Sequence, residues 1–339
     1  MADDRRPLLS VLVAAKDESE SLAQLFHELV AALDAPGPIR DGGWEVVVVD
    51  DGSTDGSWSV LHTLAASDHR LRALRLRRNV GKSTALAAAF AESKGALIAT
   101  IDGDLQDDPA EIPAMIGHLL DAEVDMVAGH KVVRRDPLGK RLPSRLFNRT
   151  TSAVTGLKLR DHNCGLKVAR REVFEALPLY GEMHRFFAAI THANGFLVVE
   201  QPVNHRPRLH GRSKFGLERY ARGCLDLFTV VTLTRYARRP AHLFGGIGLI
   251  FGVVGSVILC WLAGVWFLTD DPIGNRPLLL LGVLLVILAV QLISLGVLAE
   301  LIVSRDARND DPMRYARAAT PQHLTPVRAP TDSDAGTTR

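Results

Sequence analysis

The sequence predicts an α/β fold: a mostly parallel sheet covered on both faces by helices, then two membrane-spanning helices. Three observations predict it. Short β-prone apolar runs alternate with helical periods from Pro7 onward. Those runs are continuous in Val, Ile and Leu, the pattern of strands buried on both faces. Two later stretches, Ala241 to Thr269 and Leu278 to Ala299, contain no Asp, Glu, Lys or Arg.

The elements follow in order. Leu8–Ala14 reads as a strand, Ser19–Leu33 as a helix, and Trp44–Asp50 as a strand built on Val46–Val49. A helix over Asp55–Ala66, a strand over Leu71–Leu76, a helix over Lys82–Ser93 and a strand over Ala96–Ile101 come next. Pro109 is placed to start another helix, and Asp125–Gly129 reads as a strand. Ligands on such sheets bind at the carboxyl ends of the strands. The polar residues fall there: Lys16-Asp17-Glu18, Asp50-Asp51-Gly52-Ser53-Thr54-Asp55, Arg78-Asn79 and Asp102–Gln106.

The most informative run is Asp102-Gly103-Asp104-Leu105-Gln106-Asp107-Asp108-Pro109. Two carboxylates with one glycine between them, at a strand tip, can hold a hard cation such as Mg²⁺ or Mn²⁺, which shares oxygen ligands with substrate phosphates. An acidic turn capping the next helix is the alternative. Two other motifs fail. No Gly-x-Gly-x-x-Gly follows the first strand, which argues against a dinucleotide oxidoreductase. Asn79-Val80-Gly81-Lys82-Ser83 ends like a P-loop, but Leu76 stands where the first glycine is required. Lys82 at a helix start is still well placed to meet an anion.

The 339 residues carry a net charge of +2, so overall electrostatics does not point to nucleic acid, and no such partner is expected. Cys164, Cys224 and Cys260 show neither metal-ligand nor disulfide spacing. The two uncharged stretches are long enough to cross a hydrocarbon core of about 30 Å. Arg235, Arg238 and Arg239 precede the first and Arg305 and Arg308 follow the second, whereas the connector Asp270–Arg276 is mostly acidic. Positive residues stay inside, so both termini are expected in the cytoplasm. Met1 to Pro7 has no long apolar core, so no signal peptide is expected. Gln291 and Ser294 fall within the second span, with helix packing as their expected role.

Domain boundaries are expected as a soluble cytoplasmic domain over residues 1–215, a juxtamembrane amphipathic helix over 216–240, the spans over 241–303 and a disordered cytoplasmic tail over 304–339. The apolar period at Leu217, Tyr220, Cys224, Leu225, Phe228 and Val231 fits a helix lying in the membrane interface or packed on the soluble domain.

Ala15-Lys-Asp-Glu18, Asp50-Asp-Gly-Ser-Thr-Asp55, Asn79-Val-Gly-Lys82 and Asp102-Gly-Asp-Leu-Gln-Asp107 together resemble a family 2 glycosyltransferase of the GT-A fold. With Arg208-Leu-His-Gly211-Arg-Ser213-Lys214 ahead of paired spans, the chain is similar to the polyprenyl-phosphate glycosyltransferases. That resemblance implies transfer of a sugar from a nucleotide sugar to a polyprenyl phosphate in the cell membrane, with Mg²⁺ or Mn²⁺. It implies donor binding by Ala15, Glu18, Asp50, Asp51, Ser53, Lys82 and Asp102, and metal binding by Asp102, Asp104 and Gln106. Lys131, Arg145, Ser213 and Lys214 would meet the acceptor, with Asp104, Asp161, Arg208 and Lys214 at the chemistry. Asp161 would serve as a base or orient the acceptor. Members often carry arginine at Lys131, and lysine keeps the charge without the bidentate fork. The expected donor is UDP-glucose, with GDP-mannose the alternative. A processive synthase would need more spans and a Gln-x-x-Arg-Trp motif, and a non-catalytic membrane scaffold would not need these carboxylates. Oligomers form through the membrane helices in such families, which leaves a homo-oligomer open.

The basic run from Arg134 to Arg145 would attract anionic headgroups, at about 1 kcal/mol per cation, or shield the acceptor phosphate. Arg145 lies on an amphipathic segment, Arg141–Thr155, and is the first acceptor candidate there.

Overall fold

In a computed structural model, the described residues are 6–131, 151–152, 155–177, 179–181, 183–207, 236, 239–269 and 277–307, the last four of these as backbone only. The elements are β1 (Leu9–Ala15), α1 (Leu22–Leu33), α2 (Pro38–Gly42), β2 (Trp44–Asp50), α3 (Ser57–Ser67), β3 (Leu71–Arg75), α4 (Lys82–Glu92) and β4 (Leu97–Asp102). Then come α5 (Glu111–Asp121), β5 (Met126–Lys131), β6 (Lys167–Arg170), α6 (Arg171–Glu175), a 3-10 turn (Met183–Phe186), α7 (Phe187–Ala193) and β7 (Val198–Val203). Two long helices close the described chain, α8 (Pro240–Thr269) and α9 (Pro277–Ala307).

Seven strands form one sheet in the order β3-β2-β1-β4-β6-β5-β7. Four of the six neighbouring pairs are parallel, and β6 runs antiparallel to both β4 and β5. The chain lays β2 and β3 on one side of β1 and β4 on the other. The strand order therefore reverses between β1 and β4, and their carboxyl ends open the crevice in which such sheets bind ligands.

Side-chain alternation builds two cores. Leu9, Val11 and Val13 face α1 and α5, packing with Leu25, Leu29, Met115 and Leu119. Leu12, Val47 and Val49 face α4, packing with Leu86, Ala89, Phe174 and Phe187. The expected strands and helices of the sheet domain occur with ends shifted by at most three residues, and the second apolar helix runs on eight residues past Ala299, to Ala307. The short α2, β6, β7 and the helices around them were not anticipated, because their runs are too short for a clear period.

α8 and α9 form an antiparallel pair, with Gly248 against Ala289 and Ile293, and Gly255 against Gly282. The Glu300 carboxylate accepts from the Ala241 N–H at 3.1 Å, occupying an orphan donor at the start of α8. Leu249, Val257, Phe267, Leu280 and Ile302 are more than half exposed along the pair. Both helices are long and apolar enough to cross a membrane. The connector 270–276, residues 216–235 of the expected 216–240 juxtamembrane helix and the tail beyond residue 307 lie outside the described residues, and Pro240 already belongs to α8.

Candidate active site

The loop leaving β1 is sewn to the loop leaving β2. Ala15 is buried at the strand end, and its carbonyl accepts from the Asp51 N–H at 2.8 Å. Asp17 takes a left-handed conformation, φ 54°. Its N–H donates to Ser53 Oγ at 2.9 Å, and its carboxylate accepts from the Thr54 N–H at 2.9 Å. The Glu18 N–H donates to Ser57 Oγ at 2.9 Å. Ser21 Oγ reaches across to the Gly103 carbonyl at 2.7 Å, tying the start of α1 to the acidic loop after β4.

Asp50 and Asp51 are turned inward. Asp50 is fully buried, and its Oδ1 accepts from the Ser53 N–H at 2.8 Å. Its Oδ2 has no hydrogen-bond partner among the described residues, although Arg75 Nε lies 3.3 Å away in an ion pair not aligned as a hydrogen bond. The two Asp51 oxygens accept from the N–H groups of Val80 and Gly81, at 2.8 and 2.9 Å. Gly52, at φ +64°, lies so close that a Cβ there would fall 2.5 Å from the backbone of Arg78 and Asn79. Asp51 and Gly52 thus fix the segment that delivers Lys82 to the start of α4.

After β4 the pattern changes. Asp102 pairs with Lys82, and its side chain is 35% exposed. Burial opposes the charge on Asp102, but Lys82, then Lys131 and Lys167, outweigh it and hold the carboxyl well below its usual range. Gly165 backs this carboxylate: a Cβ there would fall 2.5 Å from Asp102 Oδ1. The left-handed residue of the loop is Leu105, φ 60°, rather than Gly103, and its fully buried side chain pins the loop to the core. That leaves Asp104 and Gln106 on either side of the anchor, both partly exposed, with the Gln106 N–H donating to Asp104 Oδ1 at 3.2 Å.

Further along, the Arg206 N–H donates to the Gln106 carbonyl at 2.8 Å, and its guanidinium pairs with Glu28 at 2.6 Å and Asp108 at 2.8 Å. The chain that continues to Arg208 therefore departs from the acidic loop itself. Arg208, Ser213, Lys214 and Arg145 lie outside the described residues, as does most of the segment Arg141–Thr155.

Lys131, at the end of β5, has its Nζ 4.0 Å from buried Asp107. Burial opposes its charge, and Asp107 above all, with Asp102 and Asp161, holds the ammonium above its ordinary range. Asp161 is buried and its Oδ1 accepts from the Asn163 N–H at 3.0 Å. Neighbouring His162 is driven down to about 4 by burial and pairs through Nε2 with Ser152 Oγ at 3.0 Å, which fits a structural role. Burial pushes the Cys164 thiol up to about 12, so it stays a thiol.

Sequence reasoning missed Gly165, Lys167 and His184. Lys167 is 4% exposed in the middle of the apolar run Leu166-Lys-Val168, a pattern that does signal a buried charge. His184 Nδ1 meets buried Ser83 Oγ at 2.9 Å and its N–H donates to the same oxygen at 3.0 Å, a contact across about a hundred residues that no local signal announces.

The assembled site has carboxylates and an amide on the rim with lysines behind them, an arrangement that can neutralise phosphate charge and position a ring. Among the described residues no three His, Cys, Asp or Glu side chains surround a metal position. A metal here would draw on Asp104 and Gln106, two oxygen donors, with phosphates and water completing its shell, which suits Mg²⁺ or Mn²⁺.

Comparison with known proteins places this geometry. Residues 10–177 match the family described as Glycosyl transferase family 2. A dodecaprenyl-phosphate galacturonate synthase of Rhizobium johnstonii is 38% identical over 311 residues, covering 91% of each chain. An undecaprenyl-phosphate 4-deoxy-4-formamido-L-arabinose transferase of Edwardsiella ictaluri is 32% identical over 297 residues, covering 87% of this chain and 88% of that protein. Among solved structures, glucosyl-3-phosphoglycerate synthase from Mycobacterium tuberculosis, in complex with Mn²⁺, uridine diphosphate and glucosyl-3-phosphoglycerate, superposes with a TM-score of 0.52 at 18% identity. That superposition covers 67% of this chain and 79% of that one and shows a shared GT-A fold. The chain belongs to glycosyl transferase family 2 and is a glycosyltransferase.

Proposed function

We propose that this glycosyltransferase moves a sugar from a nucleoside diphosphate to a polyprenyl phosphate at a membrane surface. The observation that carries the reading is one chain with a phosphate-ready rim at the β1–β4 switch point and a helix pair that exposes apolar side chains along its length. The near full-length match to polyprenyl-phosphate sugar transferases supports it.

Residues 1–215 form the catalytic domain, 216–240 an interfacial helix, 241–303 the spans and 304–339 a tail, with both termini cytoplasmic. The β1 and β2 loops, with Ala15, Glu18, Asp50, Asp51 and Ser53, hold the base and ribose. The unpaired Asp50 Oδ2 is suited to an N–H of the base, and reaching it requires Arg75, 48% exposed, to swing aside. Asp104 and Gln106 would hold a Mg²⁺ or Mn²⁺, which would supply charge neutralisation for the departing diphosphate. Asp102 joins that shell only if Lys82 releases it.

The acceptor oxygen attacks the anomeric carbon, the carbon–oxygen bond to the diphosphate breaks, and the nucleoside diphosphate leaves with the electron pair. A phosphate monoester has its second pKa at about 6, so the nucleophile needs no proton removed at neutral pH. It needs placing, and shielding from the diphosphate. Lys131, Arg145, Arg208, Ser213 and Lys214 provide cations and a hydroxyl for that, and Asp161 orients them. In-line attack inverts the anomeric centre.

UDP-glucose, the donor expected from the sequence, has no support in the relatives' names, which carry galacturonate and 4-deoxy-4-formamido-L-arabinose. A modified or acidic sugar is the better assignment.

Purified protein in detergent, given polyprenyl phosphate, Mg²⁺ or Mn²⁺ and a panel of nucleotide sugars, should form an organic-extractable sugar lipid that EDTA abolishes. Release of free sugar alone, with or without the lipid, would refute the acceptor. A tag in the 270–276 loop should be labelled from outside the cell; labelling only after lysis would overturn the orientation.

A further inference from the structure

Behind the Asp102 carboxylate, on the α4 side of the sheet, lies a small cavity of about 20 Å³, room for one or two water-sized groups. Lys82, Thr100, Asn163, Lys167, His184 and Phe187 line it, and Asp104 and Gln106 do not. Among the described residues, two lysines and no carboxylate line this space. Asp102 is adjacent; it pairs with Lys82, rests on Gly165 and acts on Lys167 without an ion pair to it.

Lys167 is the group left over. It is 4% exposed, and its sole hydrogen bond among the described residues goes to the Cys164 carbonyl. An ammonium carries three donors, so two remain for a ligand. The Phe187 ring, 6.0 Å from Nζ, closes one side with apolar surface. Burial lowers the Lys167 pKa below its ordinary range, and the charges of Asp102 and Asp161 do not make up the loss.

Thr100 and His184 have their partners. Thr100 Oγ1 donates to the Gly165 carbonyl at 2.8 Å. His184 is driven down to about 2, first by burial and then by Lys82, so it stays neutral. What the pocket lacks is one compact negative group, smaller than a diphosphate and flanked by a ring face. Lys82, which lines the pocket, also pairs with Asp102, and the sugar of a donor bound at Asp102 would lie next to this space.

We propose that this pocket receives a carboxylate carried by the transferred sugar, with Lys167 as its charge partner and Lys82 and Asn163 donating at the mouth. The donor class is then a nucleoside-diphosphate uronic acid, and Lys167 sets specificity without taking part in bond breaking. This rests on the reading of the chain as a nucleotide-sugar:polyprenyl-phosphate transferase.

The test compares UDP-galacturonate, UDP-galactose and UDP-glucose as donors for the full-length protein in detergent with polyprenyl phosphate and Mg²⁺. Wild type should favour the acid over UDP-galactose, its neutral counterpart, by at least about tenfold in kcat/KM. Lys167→Met should cut the preference for the acid over UDP-galactose, the ratio of the two kcat/KM values, by about 10- to 100-fold. Lys167→Arg, which keeps the charge, should recover part of the loss.

A wild type that prefers a neutral donor overturns the proposal and leaves the transferase reading standing. So does a Lys167→Met variant that loses both donors equally, or one whose defect is a raised KM for the lipid phosphate. The wild-type preference decides the matter if the Met variant does not fold. Absence of lipid product with every donor rejects the transferase reading instead. Equilibrium binding of UDP-galacturonate and UDP-galactose then still decides the pocket, and equal affinities reject it.

Discussion

The loops after β2 and β4 look alike in sequence, Asp50-Asp51-Gly52 and Asp102-Gly103-Asp104, and the fold uses them in opposite ways. In the first, the carboxylates turn inward: three of their four oxygens accept backbone N–H groups, and both residues are buried. In the second, the anchor is an apolar side chain, Leu105, and the carboxylates are left facing Lys82 and the rim. The first loop is mainly architecture that aims Lys82 and leaves Asp50 Oδ2 for the donor base; the second presents charge to the diphosphate end.

The largest effect on stability is expected in the first loop. Gly52→Ala would put a β-carbon into the Arg78–Asn79 backbone and strain a left-handed residue, for about 3 kcal/mol or more, read as a loss in denaturant midpoint. Asp51→Ala would leave two backbone N–H groups without their acceptor, for about 2 kcal/mol, and loosen the approach to Lys82. If either variant keeps wild-type stability while losing activity, the division between the two loops fails.

Acid should separate the regions again. His162 and His184 have depressed folded pKa values, about 4 and about 2, so each favours the fold in its neutral form. Their contribution is complete above the ordinary histidine pKa of about 6.5 and is lost as pH falls below it, down to about 4 for His162 and further for His184. Melting temperature should therefore fall between pH 6.5 and 4.5, and His162→Gln should flatten that fall. An unchanged profile would mean that His162 is not held neutral by the fold. The smallest effect belongs to Asp55, held at about 2 against burial by Ser57 and Ser19. It is exposed at the start of α3, so Asp55→Asn should cost under about 1 kcal/mol.

Much of this was legible from residue patterns. The parallel core strands announce themselves because Val46–Val49 and Ala96–Ile101 are buried on both faces, and the spans because charge is absent for more than twenty residues. The acidic loops were visible as clusters. What the pattern did not carry was the state of each carboxylate, because Asp51 meets its partners about thirty residues away and Asp102 meets Gly165 across the sheet. Lys167 was hidden for the same reason: its environment is assembled from β4, α4, β6 and the turn before α7.

The most direct test of the account is Asp104→Asn, which keeps shape and removes one charge from the rim. Its transfer rate to polyprenyl phosphate under single-turnover conditions should fall by about 10³-fold. Its melting temperature should stay within about 2 °C of wild type. An Asn variant that transfers sugar at the wild-type rate, or that fails because it no longer folds, would contradict the assignment of this loop to chemistry.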